Sequence, residues 1–379
     1  MKILLMGEYS NVHATLADGL RSLGHDVTVL SDGDSWKNYP RDIDLSRPEG
    51  RWGGVAYMAR LARVLPRLRG FDVVQLINPM FLELKARRIA PVYRWLRRHN
   101  RKLVLGAFGM DYYWVNENVT RRPLRYSDFN IGDRLRSDEP AMRYRADWVG
   151  TDKQRLCELV ARDCDGIVAG LYEYWACYKP LFPEKTVFVP FPIRPKAVPD
   201  AGGVPRRLRV FIGVSKHRSA YKGTDVMLRA ARAVARKYPD RMELSVAEGV
   251  PFARYVEMLR GADVILDQLY SYTPAMNALE AMSLGVVCVG GGEPENYEIL
   301  GEKLLRPIVN VLPSEESVCH ELEQLVLHPE RVAELKRQGL DYISRHHDYR
   351  KVAGQYAAFY RRLLDGDACP GKDGEEERR

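Results

Sequence analysis

Short apolar segments alternate with amphipathic helical segments along most of this chain of 379 residues. Residues 2–6 read as a buried strand, residues 12–23 as a helix closed by Gly24, and residues 26–31 as a second strand. A strand, a helix and a strand in so few residues form a βαβ unit, whose strands pair in parallel. The same order recurs at residues 72–107. The chain is therefore predicted to have an α/β fold with doubly wound parallel sheets.

A Pro- and Gly-rich stretch divides this pattern into two series. Residues 197–205 can continue neither a helix nor a central strand, and a second set of strand and helix segments follows them. We predict an N-terminal domain of residues 1–192, a C-terminal domain of residues 205–364 and a disordered polar tail at residues 365–379. Ligands of doubly wound sheets bind beyond the carboxyl ends of the strands, so site residues are expected in strand-to-helix loops.

Composition and charge argue against several classes of protein. The formal net charge of +8 favours anionic partners, but no nucleic-acid recognition motif accompanies it. No apolar stretch approaches the roughly 18–20 residues that span a bilayer, and the first apolar run lacks the features of a signal peptide. Six scattered cysteines without a CxxC pair favour a reduced compartment and neither a disulfide framework nor a metal site. We expect a cytoplasmic protein without a metal or a cofactor.

The segment 266–285 has well-marked helix ends. Thr273 suits the N-cap, Pro274 the first helical position and Gly285 the stop after the helix. The first turn of such a helix leaves N–H groups unpaired at the positive end of the helix dipole, where a diphosphate or sugar hydroxyls could bind. The residues concerned are Ala275, Met276 and Asn277.

Two further features of the second series carry groups that suit a nucleotide. Glu280 lies almost two turns into the same helix, where its carboxylate can accept two hydrogen bonds from a ribose or is simply a solvated helix carboxylate. Lys222 and Gly223, after the strand 208–214, offer a point charge and close backbone approach to phosphate, although a Lys-Gly pair is often only a turn. Lys216 or Arg218 of this loop could supply another cation.

Several segments taken together resemble the retaining GT-B glycosyltransferases of family 4, also known as group 1. The resemblance covers nearly the whole chain, and it is carried by the opening strand and loop and by the segments Gly109-Met-Asp111, Val189-Pro-Phe-Pro-Ile193, Lys222-Gly-Thr-Asp225, Leu279-Glu-Ala-Met-Ser-Leu-Gly285 and Gly291-Gly-Glu-Pro-Glu295. It implies two Rossmann-like domains facing a cleft, with a C-terminal helix that packs back on the N-terminal domain. It also implies a reaction that needs no protein nucleophile.

The resemblance assigns the donor site to the second domain. Lys222 would neutralise the donor diphosphate with help from Lys216 or Arg218, and Glu280 would hold the donor ribose. The leaving diphosphate would be stabilised by fixed cations and helix N–H groups and not by a metal. The nucleotide sugar is then a co-substrate, and no other cofactor is implied.

One position departs from the family pattern. Members of the family usually carry a glutamate eight residues before the ribose-binding one, and it contacts the donor sugar. In this sequence Tyr272 stands there. The departure leaves Tyr272, Thr273 and Asn277 as substitute donor contacts, and Asp267 as a further carboxylate nearby whose role is structural or chemical.

In the first domain, the resemblance points to the acceptor side. Asp111 follows Gly109 at the end of a predicted strand, where it would orient an acceptor hydroxyl or, alternatively, cap a turn. The first loop would face the same cleft, and it consists of Gly7, Glu8 and Tyr9. His13 is interpreted as a helix-start residue and not as a base.

Residues 51–69 and 85–102 each alternate apolar residues with arginines at helical spacing, and the second segment includes Tyr93 and Trp95. Basic amphipathic helices bind anionic lipid surfaces, which would suit a lipid-linked saccharide acceptor at the inner face of a membrane. The alternative is that these are solvated outer faces of helices that cover a sheet.

The predicted function is transfer of a sugar, with retention, from a nucleotide sugar to a saccharide or lipid-linked saccharide in cell-surface polysaccharide synthesis. A dinucleotide-dependent oxidoreductase is disfavoured, because the first loop lacks the spaced glycines that admit a pyrophosphate. A nucleotide-sugar epimerase of similar architecture and a catalytically silent nucleotide-sugar-binding relative remain open.

Overall fold

The computed structural model describes residues 1–196, 203–215 and 219–366. Lys216, Arg218 and residues 367–379 of the expected tail lie outside the described residues. Within the described ranges the strands are β1 (Lys2–Met6), β2 (Asp26–Ser31), β3 (Ile43–Asp44), β4 (Val73–Leu76), β5 (Lys102–Ala107), β6 (Asn130–Ile131), β7 (Arg134–Leu135), β8 (Gly166–Ala169), β9 (Thr186–Phe188), β10 (Leu208–Val214), β11 (Met242–Glu248), β12 (Val264–Leu266), β13 (Val287–Gly290) and β14 (Val309–Asn310).

The helices in the same ranges are α1 (Val12–Ser22), α2 (Gly53–Val64), α3 (Ala86–His99), α4 (Tyr112–Thr120), α5 (Glu139–Trp148), α6 (Asp152–Asp163), α7 (Tyr172–Tyr178), α8 (Ser219–Lys222), α9 (Thr224–Lys237), α10 (Phe252–Arg260), α11 (Met276–Ser283), α12 (Pro294–Leu300), α13 (Glu315–Leu327), α14 (Pro329–Tyr342) and α15 (Tyr349–Asp365). Two 3₁₀ turns, Ser35–Lys37 and Leu65–Arg67, and a π-helical turn, Ile343–His347, complete the helical elements.

The first sheet has seven parallel strands in the order β3-β2-β1-β4-β5-β8-β9. Its central strands are continuous apolar runs because parallel strands are covered by helices on both faces. In β1, for example, residues 3–6 are fully buried. The strand order reverses direction between β1 and β4, which makes this edge the topological switch point of the sheet.

The second sheet has five parallel strands in the order β11-β10-β12-β13-β14. Buried residues such as Ile212, Leu266 and Val289 belong to one core with Met227 of α9 and Leu322 of α13. The order reverses between β10 and β12, so the second switch point lies beyond the carboxyl ends of those two strands. Both sheets therefore confirm the predicted α/β class with doubly wound parallel sheets.

The chain divides into two compact units. Unit 1 comprises residues 1–117, 145–192 and 349–379, and unit 2 comprises residues 118–144 and 193–348. Residues 118–144 thus pack with the C-terminal series, whereas the sequence placed all of residues 1–192 in the first domain. The difference arises because this segment, with the antiparallel hairpin β6–β7, is held by side chains of the C-terminal series and joins neither large sheet.

The final helix returns to the N-terminal series. Helix α15 belongs to unit 1 and packs on α1, where the position that a Cβ of Gly19 would take is 2.4 Å from the carbonyl oxygen of Tyr349 and 2.7 Å from Cβ of Ala353. This confirms the expected return of the C-terminal helix. The helix also covers Gly166 of β8, whose Cβ position is 2.5 Å from the Phe359 ring.

Candidate functional site

The loops after β10 and β12 lie at the switch point of the second sheet. The connections from these two neighbouring strands run in opposite directions, and doubly wound proteins bind ligands at such a place. The loop after β10 leads into the single-turn helix α8 and Gly223, and the loop after β12 spans residues 267–275. Both segments identified from the sequence therefore lie at the edge where a ligand is expected.

The turn at Lys222 and Gly223 is seated directly on the loop after β12. The Leu269 N–H donates to the Lys222 carbonyl at 3.0 Å. Gly223 has φ +71°, and a Cβ there would lie 2.5 Å from Cβ of Leu269. A side chain at this position would be strained and would collide with its neighbour, so the chain needs glycine. Lys222 therefore has a fixed backbone position beside residues 267–275.

Asp267 connects Lys222 to the amino end of α11. Its carboxylate is buried, and it accepts hydrogen bonds from the Ala275 N–H and the Asn277 side chain. Burial raises the pKa of Asp267, and attraction to the Lys222 ammonium partly opposes that rise. The Ala275 N–H, expected to be unpaired, is thus used by a carboxylate of the protein. Sequence reasoning noted Asp267 but could not place it at the helix end.

The start of α11 differs from the prediction. Ala275 is the N-cap, with an extended backbone at φ −81° and ψ 177°, and the helix begins at Met276 and not at Pro274. Thr273 is buried, and its carbonyl accepts a hydrogen bond from the Ser271 hydroxyl at 2.5 Å, so it is part of the preceding loop. The helix ends before Gly285, which has φ +74° as the predicted stop requires.

Glu280 lies on a partly exposed face of α11 and forms an ion pair that the sequence did not reveal. The Lys196 ammonium donates to its carboxylate at 2.8 Å, and 42% of the Glu280 side chain is exposed. Lys196 is separated from Glu280 by 84 positions and belongs to no motif, so only the folded chain reveals the pair. The carboxylate remains accessible, as a ribose-binding group must be, but it is not merely solvated.

Asn277 is the exposed member of the first turn of α11. Its side-chain oxygen accepts a hydrogen bond from the Tyr255 hydroxyl at 2.8 Å, and its side chain also contacts Asp267. The Tyr255 ring packs against the end of β10, because a Cβ on Gly213 would lie 2.8 Å from it. Met276, the neighbour of Asn277, is buried and faces the core. Of these two predicted donor contacts, only Asn277 lies at the surface.

Tyr272, at the position of the family's first glutamate, is buried with 1% of its surface exposed. Its hydroxyl accepts the Arg125 N–H at 2.6 Å, and its ring lies 4.9 Å from that of Tyr126. Burial raises the pKa of Tyr272 to about 12. The structure therefore gives Tyr272 a packing role, because it anchors residues 118–144 to unit 2. Contact of Tyr272 with the donor sugar stays a prediction beside this packing role.

Two glutamates of the Gly291–Glu295 motif hold the same segment. The Arg125 guanidinium donates to Glu293 at 2.7 Å and also pairs with Glu295. Burial raises the pKa of Glu295, but the hydrogen bond from Arg125, a backbone hydrogen bond and the attraction of the Arg125 charge together outweigh it, so the pKa is held below its usual value. The Tyr126 hydroxyl donates to Glu293 as well. Two carboxylates of a motif that carries the family resemblance thus fix residues 118–144 in place.

A second arginine of this segment reaches the turn that precedes Lys222. The Arg136 guanidinium donates to the carbonyl oxygens of Ala220 at 2.7 Å and Tyr221 at 3.3 Å, and it lies 3.9 Å from the centre of the Tyr270 ring. The stretch is rich in arginine and tyrosine, but the sequence alone assigned these residues no role. No local pattern indicates that they pack on the distant loops after β10 and β12.

In unit 1, Asp111 is a fully buried helix cap. Its carboxylate accepts hydrogen bonds from the Trp114 N–H at 2.8 Å and the Tyr178 hydroxyl at 2.7 Å. Burial raises its pKa to about 6, and these hydrogen bonds oppose the rise. The geometry therefore matches the capping alternative, and the assignment of Asp111 to acceptor orientation stays a prediction.

The first loop of unit 1 is also built around a capping carboxylate. Glu8 is buried and accepts hydrogen bonds from the N–H groups of His13 at 3.3 Å and Ala14 at 2.8 Å. Burial raises the pKa of Glu8 to about 7. Gly7 packs against Ile77, since a Cβ on it would lie 2.3 Å from the Ile77 side chain. Tyr9 lies beside Gly109 at 3.1 Å from its Cβ position, so the two predicted loops do meet at this edge.

His13 is a buried structural histidine. Its Nδ1 lies 2.8 Å from the Gly7 carbonyl oxygen, and its Nε2 lies 3.2 Å from the Gln75 amide nitrogen. Burial lowers its pKa to about 3, which keeps the ring neutral near pH 7. The Gln75 oxygen accepts a hydrogen bond from the Tyr360 hydroxyl of α15. The interpretation of His13 as a helix-start residue and not a base is in keeping with this arrangement.

The two basic segments predicted to be amphipathic differ in what they expose. In α3, Tyr93 is fully buried and its hydroxyl donates to Asp163 at 2.7 Å, so this aromatic residue belongs to the interior of unit 1. In α2 and its N-cap, Trp52, Val55 and Met58 are exposed, Trp52 by 65%. Only the first segment therefore combines exposed apolar side chains with arginines.

The described residues contain neither a cluster of metal ligands nor a membrane-spanning helix. Within residues 1–196, 203–215 and 219–366, no three His, Cys, Asp or Glu side chains come together as metal ligands would. No helix in the same ranges is both long enough and apolar enough to cross a membrane. Metal independence stays a prediction.

Comparison with known proteins identifies the architecture. Residues 8–157 match the family model described as a glycosyl transferase 4-like domain. The likeness to sucrose-phosphate synthase of Thermosynechococcus elongatus covers 97% of this chain and 100% of that one, with 13% identity and a TM-score of 0.60. The whole chain has the GT-B fold.

Two further structures share this GT-B architecture. HepE of Anabaena, solved with UDP and glucose, is 14% identical with a TM-score of 0.59, and the match covers 94% of this chain and 98% of that one. A Listeria monocytogenes protein provisionally assigned as a UDP-N-acetylglucosamine 2-epimerase is 11% identical with a TM-score of 0.55, over 98% and 99% of the two chains. No curated protein sequence matches this chain.

Within this GT-B fold, the predicted donor residues divide into two groups. Lys222, Gly223 and the amino end of α11 come together around Asp267, and Glu280 lies on the same helix with an accessible carboxylate. Tyr272 and Thr273 are instead buried in the packing behind that edge. The proposed function therefore rests on the accessible side chains of Lys222 and Glu280.

Proposed function

We propose that this protein is a metal-independent hexosyltransferase that moves a sugar, with retention, from a nucleotide sugar to a saccharide or lipid-linked saccharide acceptor. The observation that carries the proposal is the position of Lys222. Its ammonium is within electrostatic reach of Asp267 at the amino end of α11, beyond the switch point of the second sheet. A cation at that edge is placed to meet the diphosphate of a donor.

The chemistry asked of these groups is charge stabilisation. In the proposed transfer, the bond between the anomeric carbon and the diphosphate oxygen breaks, and the acceptor hydroxyl oxygen bonds to that carbon and releases its proton to the solvent. The diphosphate gains a negative charge as it leaves. Lys222 would stabilise that charge from a fixed backbone position, which costs no reorganisation during the reaction. Glu280 would accept the ribose hydroxyl hydrogens and fix the nucleotide.

Two comparisons support a nucleotide-sugar donor and a saccharide acceptor. HepE was solved with UDP and glucose and also with UDP-glucose, and it shares the fold of the whole chain. A Staphylococcus aureus protein, TarM, was solved with UDP and saccharides, and the likeness covers 80% of this chain. The donor base and sugar of this protein are left to experiment.

The first experiment identifies the donor. The purified protein is heated with UDP, GDP, ADP and their sugars, and a bound nucleotide raises the unfolding temperature by mass action. The best donor is then incubated with and without saccharide acceptors, and released nucleoside diphosphate is measured. Release that depends on an acceptor supports the transferase. Binding without release under any condition would identify a catalytically silent relative and contradict the proposal.

Variants of the two accessible groups test the site. We expect Lys222→Ala and Glu280→Ala each to lower turnover by about 10² or more, the loss typical of a preorganised charge-stabilising group. Lys237→Ala on α9 and Glu257→Ala on α10 are matched controls, since both side chains are exposed and lie in ion pairs on other helices. The controls should keep near-normal turnover. Near-normal activity of either site variant with a confirmed substrate would contradict the assignment.

An epimerase is the second candidate, favoured by the likeness to the provisional UDP-N-acetylglucosamine 2-epimerase. The two functions differ in what they require. Epimerisation changes the sugar of the donor without an acceptor, whereas transfer needs one. Nuclear magnetic resonance of the nucleotide sugar after incubation without acceptor separates them, because a second epimer appears only in the epimerase.

We also propose a cytoplasmic protein in cell-surface polysaccharide synthesis that docks on an anionic membrane through α2. The exposed Trp52, Val55 and Met58 suit the interfacial region of a bilayer, and exposed arginines flank them at Arg51, Arg63 and Arg67. Flotation with vesicles containing anionic lipid should recover the protein at low salt and lose it at high salt. Equal recovery with neutral vesicles, or none with anionic ones, would contradict the proposal.

A further inference from the structure

The helix that carries Lys222 cannot be stable by itself. Helix α8 spans only Ser219–Lys222, and a single turn gains too few hydrogen bonds to offset the cost of forming it. The carbonyl groups in the last turn of a helix also lack partners within the helix. Something outside α8 must therefore satisfy these groups if Lys222 is to keep one position.

Arg136 supplies those partners. Its guanidinium donates to the carbonyl oxygens of Ala220 and Tyr221, the two residues before Lys222. These hydrogen bonds come from a charged donor, and such bonds are stronger than neutral ones. The side chain of Arg136 is 8% exposed. A guanidinium is the only side chain that offers several donors in one fixed plane, so it can hold two neighbouring carbonyls together.

Arg136 is itself held by Tyr270 and Asp138. Its guanidinium lies 3.9 Å from the centre of the Tyr270 ring, a cation–π contact with the loop after β12. Its Nε donates to Asp138 at 2.9 Å, which fixes the plane of the guanidinium. In addition, the Tyr144 ring lies 5.1 Å from the Tyr221 ring. Residues 118–144 therefore contact α8 through Arg136 and Tyr144, although they lie far from it in the sequence.

We infer that Arg136 is a positioning residue for Lys222, and that residues 118–144 hold the phosphate-binding turn in place. The inference rests on the proposed function and adds to it, because it assigns a role to a segment that precedes the C-terminal series. Without Arg136, the turn would sample several positions, and Lys222 would meet the diphosphate only in a fraction of them. Affinity falls in proportion to that fraction.

The experiment compares a nucleoside diphosphate with its nucleoside. The probe is UDP, GDP or ADP, whichever raises the unfolding temperature most, and calorimetry gives its Kd and that of the parent nucleoside. Arg136→Ala should weaken the diphosphate about tenfold, a typical loss when a binding-competent state is no longer favoured. Nucleoside binding should not change, because only the diphosphate meets Lys222. Arg134→Ala removes an exposed arginine two residues earlier and is the matched control.

A double variant separates positioning from general damage. If Arg136 acts through Lys222, adding Arg136→Ala to Lys222→Ala should weaken diphosphate binding no further. Arg136→Lys keeps the charge but not the planar pair of donors, and it should lose most of the same affinity. It also serves if the alanine variant fails to fold. Additive losses, or equal loss of nucleoside and diphosphate binding, would overturn the inference.

The outcomes also separate this inference from the proposed function. If no nucleoside diphosphate binds the wild-type protein, both fail. If Lys222→Ala weakens diphosphate binding but Arg136→Ala does not, the donor site stands and only the positioning role is lost. If Lys222→Ala has no effect, the inference fails, and any donor site lies elsewhere.

Discussion

Glu8 and Asp111 show how a carboxylate at the end of a strand can serve the fold alone. Each is buried and accepts N–H groups at the start of a helix, and burial raises the pKa of both. A negative charge is favoured there by the helix dipole, but loss of hydration opposes ionisation. The two effects do not cancel, and the remaining cost makes stability depend on pH.

Glu8→Gln should flatten the dependence of stability on pH. The Glu8 pKa rises from 4.5 to about 7 in the folded state, so between these values the native protein holds a proton that the unfolded chain has lost. Stability therefore falls as pH rises through this window. Since one pKa unit corresponds to 1.4 kcal/mol, the loss is about 3 kcal/mol above pH 7 and absent below pH 4.5.

Urea unfolding of the wild type and Glu8→Gln at several pH values between 4 and 8 measures this effect. The difference between the two curves separates the titration of Glu8 from that of Asp111, which occurs in the same pH window. The charge of Asp34 contributes to the raised pKa of Glu8. Glutamine cannot accept two N–H groups as the carboxylate does, so its absolute stability is not the readout. Parallel curves would show that Glu8 does not titrate as described.

For single residues, the sequence correctly predicted the roles that depend on backbone conformation. Gly223 and Gly285 were correctly placed at turns because both need a positive φ, which only glycine adopts freely. Thr273 is not the N-cap, and the packing of Tyr272 was not foreseen, because both features depend on residues that lie over them. A threonine before Pro274 looks like an N-cap in any sequence, and only the burial of Thr273 shows otherwise.

Among the elements, long parallel strands were predictable and short irregular ones were not. Strands β1, β2 and β10 have the predicted bounds, because apolar runs that are buried in a parallel sheet are recognisable from sequence. The hairpin β6–β7 has only two residues in each strand, and α8 has a single turn. Such elements gain little stability from their own hydrogen bonds, so side chains from elsewhere decide them.

Arg125→Ala tests this dependence for the segment 118–144. The substitution leaves the buried Glu293 carboxylate without its cation, and we expect unit 2 to lose about 2 kcal/mol of unfolding free energy. Hydrogen exchange of residues 118–144 should also become faster, because their attachment is weaker. Both are measured against Arg134→Ala, which removes an exposed arginine from the same segment and should stay within about 0.5 kcal/mol of the wild type.

Equal effects of the two substitutions would mean that the segment is held by something other than the Glu293 and Glu295 contacts. A selective effect of Arg125→Ala would instead show that part of the Gly291–Glu295 motif serves this attachment in unit 2. Motif residues can therefore be recognised from sequence without their immediate partners being known.

At the scale of the whole chain, the two units repeat one design with different connections. Each sheet is parallel and reverses its order next to its first strand, β1 in unit 1 and β10 in unit 2. The repetition follows from the alternating sequence pattern and was predicted from it. The packing of residues 118–144 in unit 2 was not predicted, because local sequence propensity does not indicate which unit a segment will join. The return of α15 was predicted only through the family resemblance.

Gly19→Ala should show how far unit 1 depends on the returning helix. The new methyl group would lie 2.4 Å from the Tyr349 carbonyl oxygen, so α15 must shift, and overpacking of this kind costs about 1–3 kcal/mol. Gly354, within α15, has no atom within 4 Å of its Cβ position. Gly354→Ala should therefore stabilise the helix by about 0.5–1 kcal/mol, because alanine loses less backbone entropy than glycine.

The expected changes in stability have opposite signs, so the two variants test the contact between α1 and α15 and not helix propensity. Both substitutions replace a helical glycine by alanine, so propensity alone predicts a gain in each case. Thermal unfolding of the two variants, with proteolysis of α15 as a second readout, gives the comparison. A gain for Gly19→Ala would mean that α15 does not pack closely on α1. A loss at Gly19 beside a gain at Gly354 would show that the chain's last helix completes the unit in which the chain begins.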